Sequence, residues 1–255
     1  YLARTETIEF FDNGRQIVTE KNYTYDSPNH LLLTRQSTVN SKGENIITNY
    51  YYPPDLVEKE PYMKELTERN RINEPVITQQ KVEETVIGIT HNQYSEFNGI
   101  IQKSAVHQKN GEGIDVNSPT DRKITYNRYD TKGNLTQYTL ENGIPITVIW
   151  GYNGQYPVLK VEGATYDEVI ETFDASFLKQ INQGDLTASC FDGFRPLFPH
   201  AMMTSYTYKA LAGITSVTLP NGQTKYYNYD ADNRLISIVN EQGEVLKTYE
   251  YNYKQ

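Results

Sequence analysis

The sequence predicts a mainly β fold, an antiparallel sheet of hairpins, open or partly coiled, carrying two short helical insertions. Three observations lead there. The chain holds 22 tyrosines but one tryptophan and one cysteine in 255 residues. A Tyr-Asp skeleton recurs, most completely at Tyr129-Asp130 with Leu135 and at Tyr229-Asp230 with Leu235. Glycines punctuate the intervening stretches at matching offsets, Gly143 and Gly243. Tyrosine offers a large, half-polar surface suited to a sheet with one wet face. Self-similar units of this kind stack into extended β-structure.

The first copy lies at Tyr25-Asp26 with Leu31, and Phe11-Asp12-Asn13-Gly14-Arg15 is a degenerate copy one residue shorter. Two residues before each leucine stand Asn29, Gly133 and Asn233, types that accept a left-handed backbone. A turn with positive φ is expected at each. A second turn is expected at Lys42-Gly43, Asn142-Gly143 and Gln242-Gly243, with another at Asn221-Gly222, since Asn-Gly between alternating residues signals a hairpin. Each unit is then strand, turn, strand. On the last return, Val245 to Tyr251, the period of two places Tyr249, Tyr251 and Tyr253 on one face.

The hairpins are interrupted twice. After Tyr50-Tyr51-Tyr52 comes Pro53-Pro54, which cannot feed a sheet ladder, and then a spacing of Tyr62, Met63 and Leu66 that suits a helix from Pro61 to about Asn70. Val76 to Lys109 is rich in β-branched residues and broken at Gly88 and at Asn98-Gly99, which predicts two or three strands before a loop from Asn110 to Pro119. The second insertion follows Trp150-Gly151-Tyr152-Asn153. Thr165 with Glu168 forms a capping box, and Val169, Phe173, Phe177 and Ile181 recur at steps of four, predicting one amphipathic helix of about four turns. Gly184, Pro196 and Pro199 mark an irregular return to strand at Ser205 to Tyr208. The organisation expected is hairpins over 1–52, inserted helix and strands over 53–125, a hairpin over 126–160, a helical insertion over 161–204 and hairpins over 205–255, in one continuous structural domain.

Composition narrows the function classes. A net charge of −8, with no long run among the 24 Lys and Arg, gives no electrostatic footprint for nucleic acid. With Cys190 alone, no intrachain disulfide can form. No stretch approaches the roughly 20 apolar residues of a bilayer span. The chain begins at Tyr1 without an initiator methionine and reads as part of something longer.

Few residues offer chemistry. Cys190 and His200 would make a thiolate-imidazole pair with Asp192 orienting the ring, but a half-buried cysteine beside Phe191 and Phe194 is the favoured reading. His91 and His107 flank the Asn98-Gly99 turn, so they would meet across two strands and could bind a metal with Glu83 or Glu96; looser spacing than metal sites usually show argues against it. The recurring Asp26, Asp130 and Asp230 read as turn acceptors, because a residue repeated in each unit does the same local job in each. No catalytic residue, metal or cofactor is assigned. The aromatics Trp150, Tyr152, Tyr249 and Tyr251 are the candidate binding residues, and Trp150 also reads as a core anchor.

The residues Tyr25-Asp26, Tyr129-Asp130 and Tyr229-Asp230, together with the ordered stretches 126–135, 150–158 and 206–216, resemble the RHS, or YD-repeat, family of the Bacteroidetes type over most of the chain. Tyr25, Asp26, Tyr129, Asp130, Gly133, Gly143, Tyr229, Asp230 and Gly243 are its structural repeat positions here. The resemblance implies a secreted or cell-surface bacterial protein whose repeats coil as one β-sheet into a shell. In toxins of the family that shell encloses a C-terminal effector, in the similar teneurins it supports adhesion, and carbohydrate binding is attributed to such repeats as a class. Expected partners are thus a protein or an encapsulated effector, or a glycan, with self-association through open sheet edges. The family's self-cleaving boundary contains Asp-Pro, which occurs nowhere in this sequence, so autoproteolysis is not assigned.

Overall fold

The computed structural model describes residues 1–111 and 120–252. The fold is mainly β: strands follow one another in the sheet in sequence order, from the first to the sixteenth, with antiparallel neighbours and no crossover. The chain divides into two compact units, Tyr1–Thr125 and Tyr126–Gln255.

The first unit contains β1 (Arg4–Phe10), β2 (Gln16–Thr24), β3 (Arg35–Val39), β4 (Asn45–Tyr51), a 3-10 turn at Pro53–Asp55, α1 (Met63–Glu68), β5 (Ile77–Val82), β6 (Thr85–Phe97), β7 (Ile100–Asn110) and the start of β8 (Arg122–Tyr129). Its core is small: Leu56, Met63, Leu66 and Val76 from the β4–β5 connection pack on Ile101 of β7. The second unit continues with β9 (Leu135–Leu140), β10 (Pro145–Gly151), β11 (Tyr156–Glu162), α2 (Tyr166–Ile170), α3 (Ala175–Gln183), a 3-10 turn at Asp192–Leu197, β12 (Met202–Lys209), β13 (Gly213–Thr218), β14 (Thr224–Tyr229), β15 (Leu235–Asn240) and β16 (Val245–Thr248). Its core joins Ile149, Leu159, Val161 and Met203 of the sheet to Val169, Phe173, Ile181 and Phe191 of the helical insertion.

Among the described residues one turn is used seven times, at 11–15, 40–44, 130–134, 140–144, 219–223, 230–234 and 240–244. In each, the first residue's N–H donates to the carbonyl of the fifth at 2.8–3.3 Å, and the fourth residue's N–H donates back to the first carbonyl at 2.9–3.1 Å. The fourth residue has φ between +59° and +85° and is glycine in six cases and Asn233 in the other. This is the three-residue hairpin loop closed by a left-handed residue. The two turns expected from the sequence are therefore the same turn at successive strand ends.

Side chains cap it in two ways. Where the first residue is Asn40, Asp130, Asp230 or Asn240, its Oδ1 accepts the N–H groups of the third and fifth residues at 2.8–3.1 Å. Elsewhere an asparagine at the third position, Asn13, Asn142 or Asn221, accepts the fifth N–H at 3.1 Å. Either cap satisfies backbone donors that the turn leaves without a ladder partner.

The Tyr25-Asp26 copy departs from this pattern. Asn29 does not have positive φ, and a ten-residue excursion replaces the tight turn between β2 and β3. The cause is Pro28, which stands where Lys132 and Asp232 donate their N–H to the aspartate and has no N–H to give. Asp26 accepts the Thr34 hydroxyl instead.

Four other expectations are corrected. The strands of the first insertion break at Glu83, not Gly88, because the Glu83 N–H and carboxylate are both tied to Asn45; Gly88 lies within β6. The helix expected from Pro61 to Asn70 shortens to α1, bounded by left-handed Tyr62 and Asn70. The long helix of the second insertion is two helices, because Asp174 caps a new one by accepting the Phe177 N–H at 2.8 Å; the Thr165–Glu168 capping box is formed as expected. β16 ends at Thr248, its four residues all exposed, and beyond it the pairing with β15 is continued by the Tyr249 N–H, which donates to Ile236 O at 3.0 Å, short of Tyr251. Tyr253 and residues 112–119 of the expected loop lie outside the described residues.

Because asparagine performs the capping at positions 40 and 240, Asp230→Asn should leave the thermal midpoint close to that of the native chain. Asp230→Ala should cost about 0.5–2 kcal/mol in denaturant unfolding, the range for losing a side-chain cap.

Candidate interaction surface

The face of β10 and β11 turned away from α2 and α3 carries a groove of about 330 Å³, lined by Tyr138, Val148, Trp150, Lys160, Tyr206 and Tyr208 with little polar surface. Register places it: Val148 stands opposite Lys160, and a bulge between Ile149 and Trp150 brings Trp150 opposite Pro157. Trp150 is fixed there by its indole N–H, which donates to Leu135 O at 2.8 Å. The sole tryptophan is thus both an anchor and part of the groove wall. Lys160, the one charge in the wall, pairs with Glu162 at 2.9 Å, and that hydrogen bond holds its ammonium above the ordinary value.

Two of the phenols here are shifted upward. Burial, then neighbouring Tyr206, Tyr152 and Tyr156, pushes Tyr208 up to about 12, and burial likewise raises Tyr206. Tyr208 stacks on Tyr156 at 4.7 Å with its hydroxyl donating to Pro157 O. Offset aromatic pairs of this kind add about 0.5–1.5 kcal/mol beyond area burial.

Beside the groove the chain makes a costly turn. Tyr152, Asn153 and Gly154 are successive left-handed residues, at φ +52°, +56° and +71°. Each non-glycine residue there costs roughly 1–2 kcal/mol, so the surroundings must impose it. They do: Ile181 O and Asn182 O of α3 accept the Tyr152 and Asn153 N–H groups at 3.0 and 2.7 Å, Lys132 reaches Asn153 O, and Asn134 donates to Gly154 O at 2.9 Å. Gly184 is required at the same place, since a Cβ there would collide with the Tyr152 ring. The Tyr152 hydroxyl both accepts the Tyr208 N–H at 2.9 Å and donates to Tyr208 O at 3.1 Å.

The structure spreads the four candidate aromatics apart. Trp150 lines the groove, whereas Tyr152 is consumed in locking α3 to β12. Tyr249 and Tyr251 lie beyond β16, under Lys247 at 4.7 Å and Arg234 at 5.5 Å, with the Tyr251 hydroxyl donating to Leu235 O. Sequence reading missed Tyr138 and Tyr206, which only the register brings to Trp150.

The chemical candidates resolve differently. Cys190 packs against the second core, and burial pushes its thiol up to about 11, opposite to what a nucleophile needs. Asp192 receives the Arg195 Nε–H at 3.3 Å rather than a histidine. His91 and His107 do stand directly opposite each other on β6 and β7, both buried. The carboxylate near them is Glu60, 3.5 Å from His91, not Glu83 or Glu96. Among the described residues no group of three or more His, Cys, Asp or Glu could hold a metal ion.

Residues 212–245 match the RHS repeat family model. No curated protein matches the chain. Among solved structures, the crystal structure of TcdB2-TccC3 without hypervariable C-terminal region is 13% identical with TM-score 0.43, the alignment covering 98% of this chain and 12% of that one. TcdB2-TccC3 is 11% identical with TM-score 0.36, covering 94% of this chain and 15% of that one. TcdB2-TccC3-Cdc42 is 11% identical with TM-score 0.37, covering 94% and 14%. The chain therefore spans 12–15% of the length of these proteins.

Two measurements check the local chemistry. At pH 8, alkylation of Cys190 by iodoacetamide should run about a hundredfold slower than that of a free cysteine, as a rise from 9.0 to about 11 dictates. Tyr152→Phe should destabilise the chain by about 1–3 kcal/mol in urea unfolding, because it strands the part-buried Tyr208 N–H.

Proposed function

We propose that this chain, whose residues 212–245 match the RHS repeat, is a non-enzymatic β-scaffold segment of a secreted or cell-surface bacterial protein, forming part of a shell or interaction surface. One observation carries the reading. The turns at 219–223, 230–234 and 240–244 lie inside the matched stretch, and the same hydrogen-bond pattern recurs outside it at 11–15, 40–44, 130–134 and 140–144. The same turn therefore closes hairpins outside the matched residues as well as within them, and the side chains around it are spent on turns, ladders and core. A protein partner is the occupant this reading favours for the apolar groove at Trp150, because Tyr138, Tyr206 and Trp150 offer broad aromatic surface with a single neutralised cation. No helix of the described residues is long and apolar enough to cross a membrane.

The test has two arms on the purified chain. Chromogenic ester, peptide, glycoside and phosphate-ester substrates should show no turnover above buffer, and turnover abolished by Cys190→Ser or His200→Ala would overturn the scaffold reading. The Tyr138→Ser/Tyr206→Ser double variant should keep the native melting temperature while losing retention of proteins secreted with the chain. Retention unchanged in the double variant would remove the groove from the account.

A further inference from the structure

The β4–β5 connection lays Leu56, Met63, Leu66 and Val76 on Ile101, with Tyr94 and Ile77 packed around them. Two of its carboxylates meet buried imidazoles. Asp55 Oδ2 lies 2.8 Å from His30 Nε2, and Glu60 Oε1 lies 3.5 Å from His91 Nε2. These are two of the four histidines in the chain. His30 accepts the Leu32 N–H on Nδ1 at 3.1 Å, which fixes its proton on Nε2, facing Asp55.

His91 is the less well satisfied of the two. It is 6% exposed, and its Nε2 makes no hydrogen bond among the described residues, having only the longer approach to Glu60. Among the described residues, these groups face it. From β7 comes the fully buried His107, directly opposite, whose Nε2 meets Gln93 Oε1 at 3.1 Å; from β5 comes uncharged Ile77; from the connection comes Glu60. Asp26, Arg35 and Lys59 line a separate cavity with Asp55.

We propose that the connection from Pro53 to Asn70 is an acid-released cover. On a fall from neutrality to about pH 5, a proton taken up by His91 places a charge in a dry position beside a second imidazole. The connection then detaches, and the patch around Val76, Tyr94 and Ile101 is laid open.

The direction follows from linkage. Burial lowers the His91 value below that of free imidazole, and Glu60 offsets part of the effect. A depressed value means that the group's contribution is complete above about pH 6.5 and is lost as pH falls toward the folded value. Asp55 acts in a different window. Burial alone would raise it, but hydrogen bonds from the Tyr52 N–H, His30 and Ser27 hold it below its ordinary 3.8, so its contribution is lost only at more acid pH.

Hydrogen exchange read by mass spectrometry on the whole chain, normalised for intrinsic rates at pH 7.5, 6.0 and 5.0, tests this. The opening constant of peptides within 53–70 should rise below about pH 6.5, by at most about tenfold per unit for a single proton, while β9 to β11 stay protected. His91→Gln should flatten the rise, and Glu60→Gln should enlarge the opening at each acid pH. Protection of 53–70 that is unchanged from pH 7.5 to 5.0, or an equal rise in His91→Gln, overturns the proposal. If His91→Gln does not fold, Glu60→Gln decides, and an opening at pH 5.0 equal to that of the native chain overturns it.

Discussion

The seven matching hairpins of this sheet rest on a backbone that must go left-handed at the fourth position of the turn. A strand can reverse in three residues only if the fourth position of the turn has positive φ, and an L-residue with a Cβ resists that conformation. Glycine meets the demand at six turns and Asn233 at the seventh. Most of these glycines have open space around them: a Cβ added at Gly14, Gly43, Gly143, Gly222 or Gly243 would meet nothing within 4 Å, so conformation and not crowding selects them. Once the reversal is fixed, register follows from the turn, and the faces of successive strands are decided with it.

The turn also explains why aspartate and asparagine recur without acid-base chemistry being needed to account for them. Asp130 and Asp230 spend Oδ1 on two backbone donors each, and Asp230 spends Oδ2 on Arg234 at 2.7 Å. The backbone and side-chain bonds of Arg234 hold the Asp230 carboxyl below its ordinary value, with the Asp232 N–H contributing. A carboxylate committed to that many donors is a structural acceptor. The two insertions then supply what hairpins with wet faces cannot, an apolar lid for each unit: Leu56, Met63 and Leu66 in one, Val169, Phe173 and Ile181 in the other.

Much of this was legible because it is local. Asn142-Gly143 and Asp130 to Gly133 announce their turns within five residues, and the Thr165–Glu168 box announces a helix start. Local signals were also the ones misjudged when two competed. Pro28 overrides the Tyr25-Asp26 pattern by removing one N–H, and Asp174 overrides the four-residue apolar step by capping a second helix. The pairing of His91 with His107 could be anticipated from the hairpin at Asn98-Gly99, whereas Glu60 could not, since it comes from a connection 31 residues before His91. The groove at Trp150 lay beyond reach for a similar reason: its wall is assembled from β9, β10, β11 and β12, and the bulge at Ile149/Trp150 sets which face the indole joins.

The left-handed requirement can be measured without disturbing any contact. Gly243, at φ +81° with open space around it, lies near enough to the C-terminus for semisynthesis. D-alanine, which prefers positive φ, should raise the unfolding midpoint above that of the glycine parent, and L-alanine should lower it by roughly 1–2 kcal/mol. Equal effects of the two enantiomers would contradict the claim that backbone handedness at the fourth position organises the sheet.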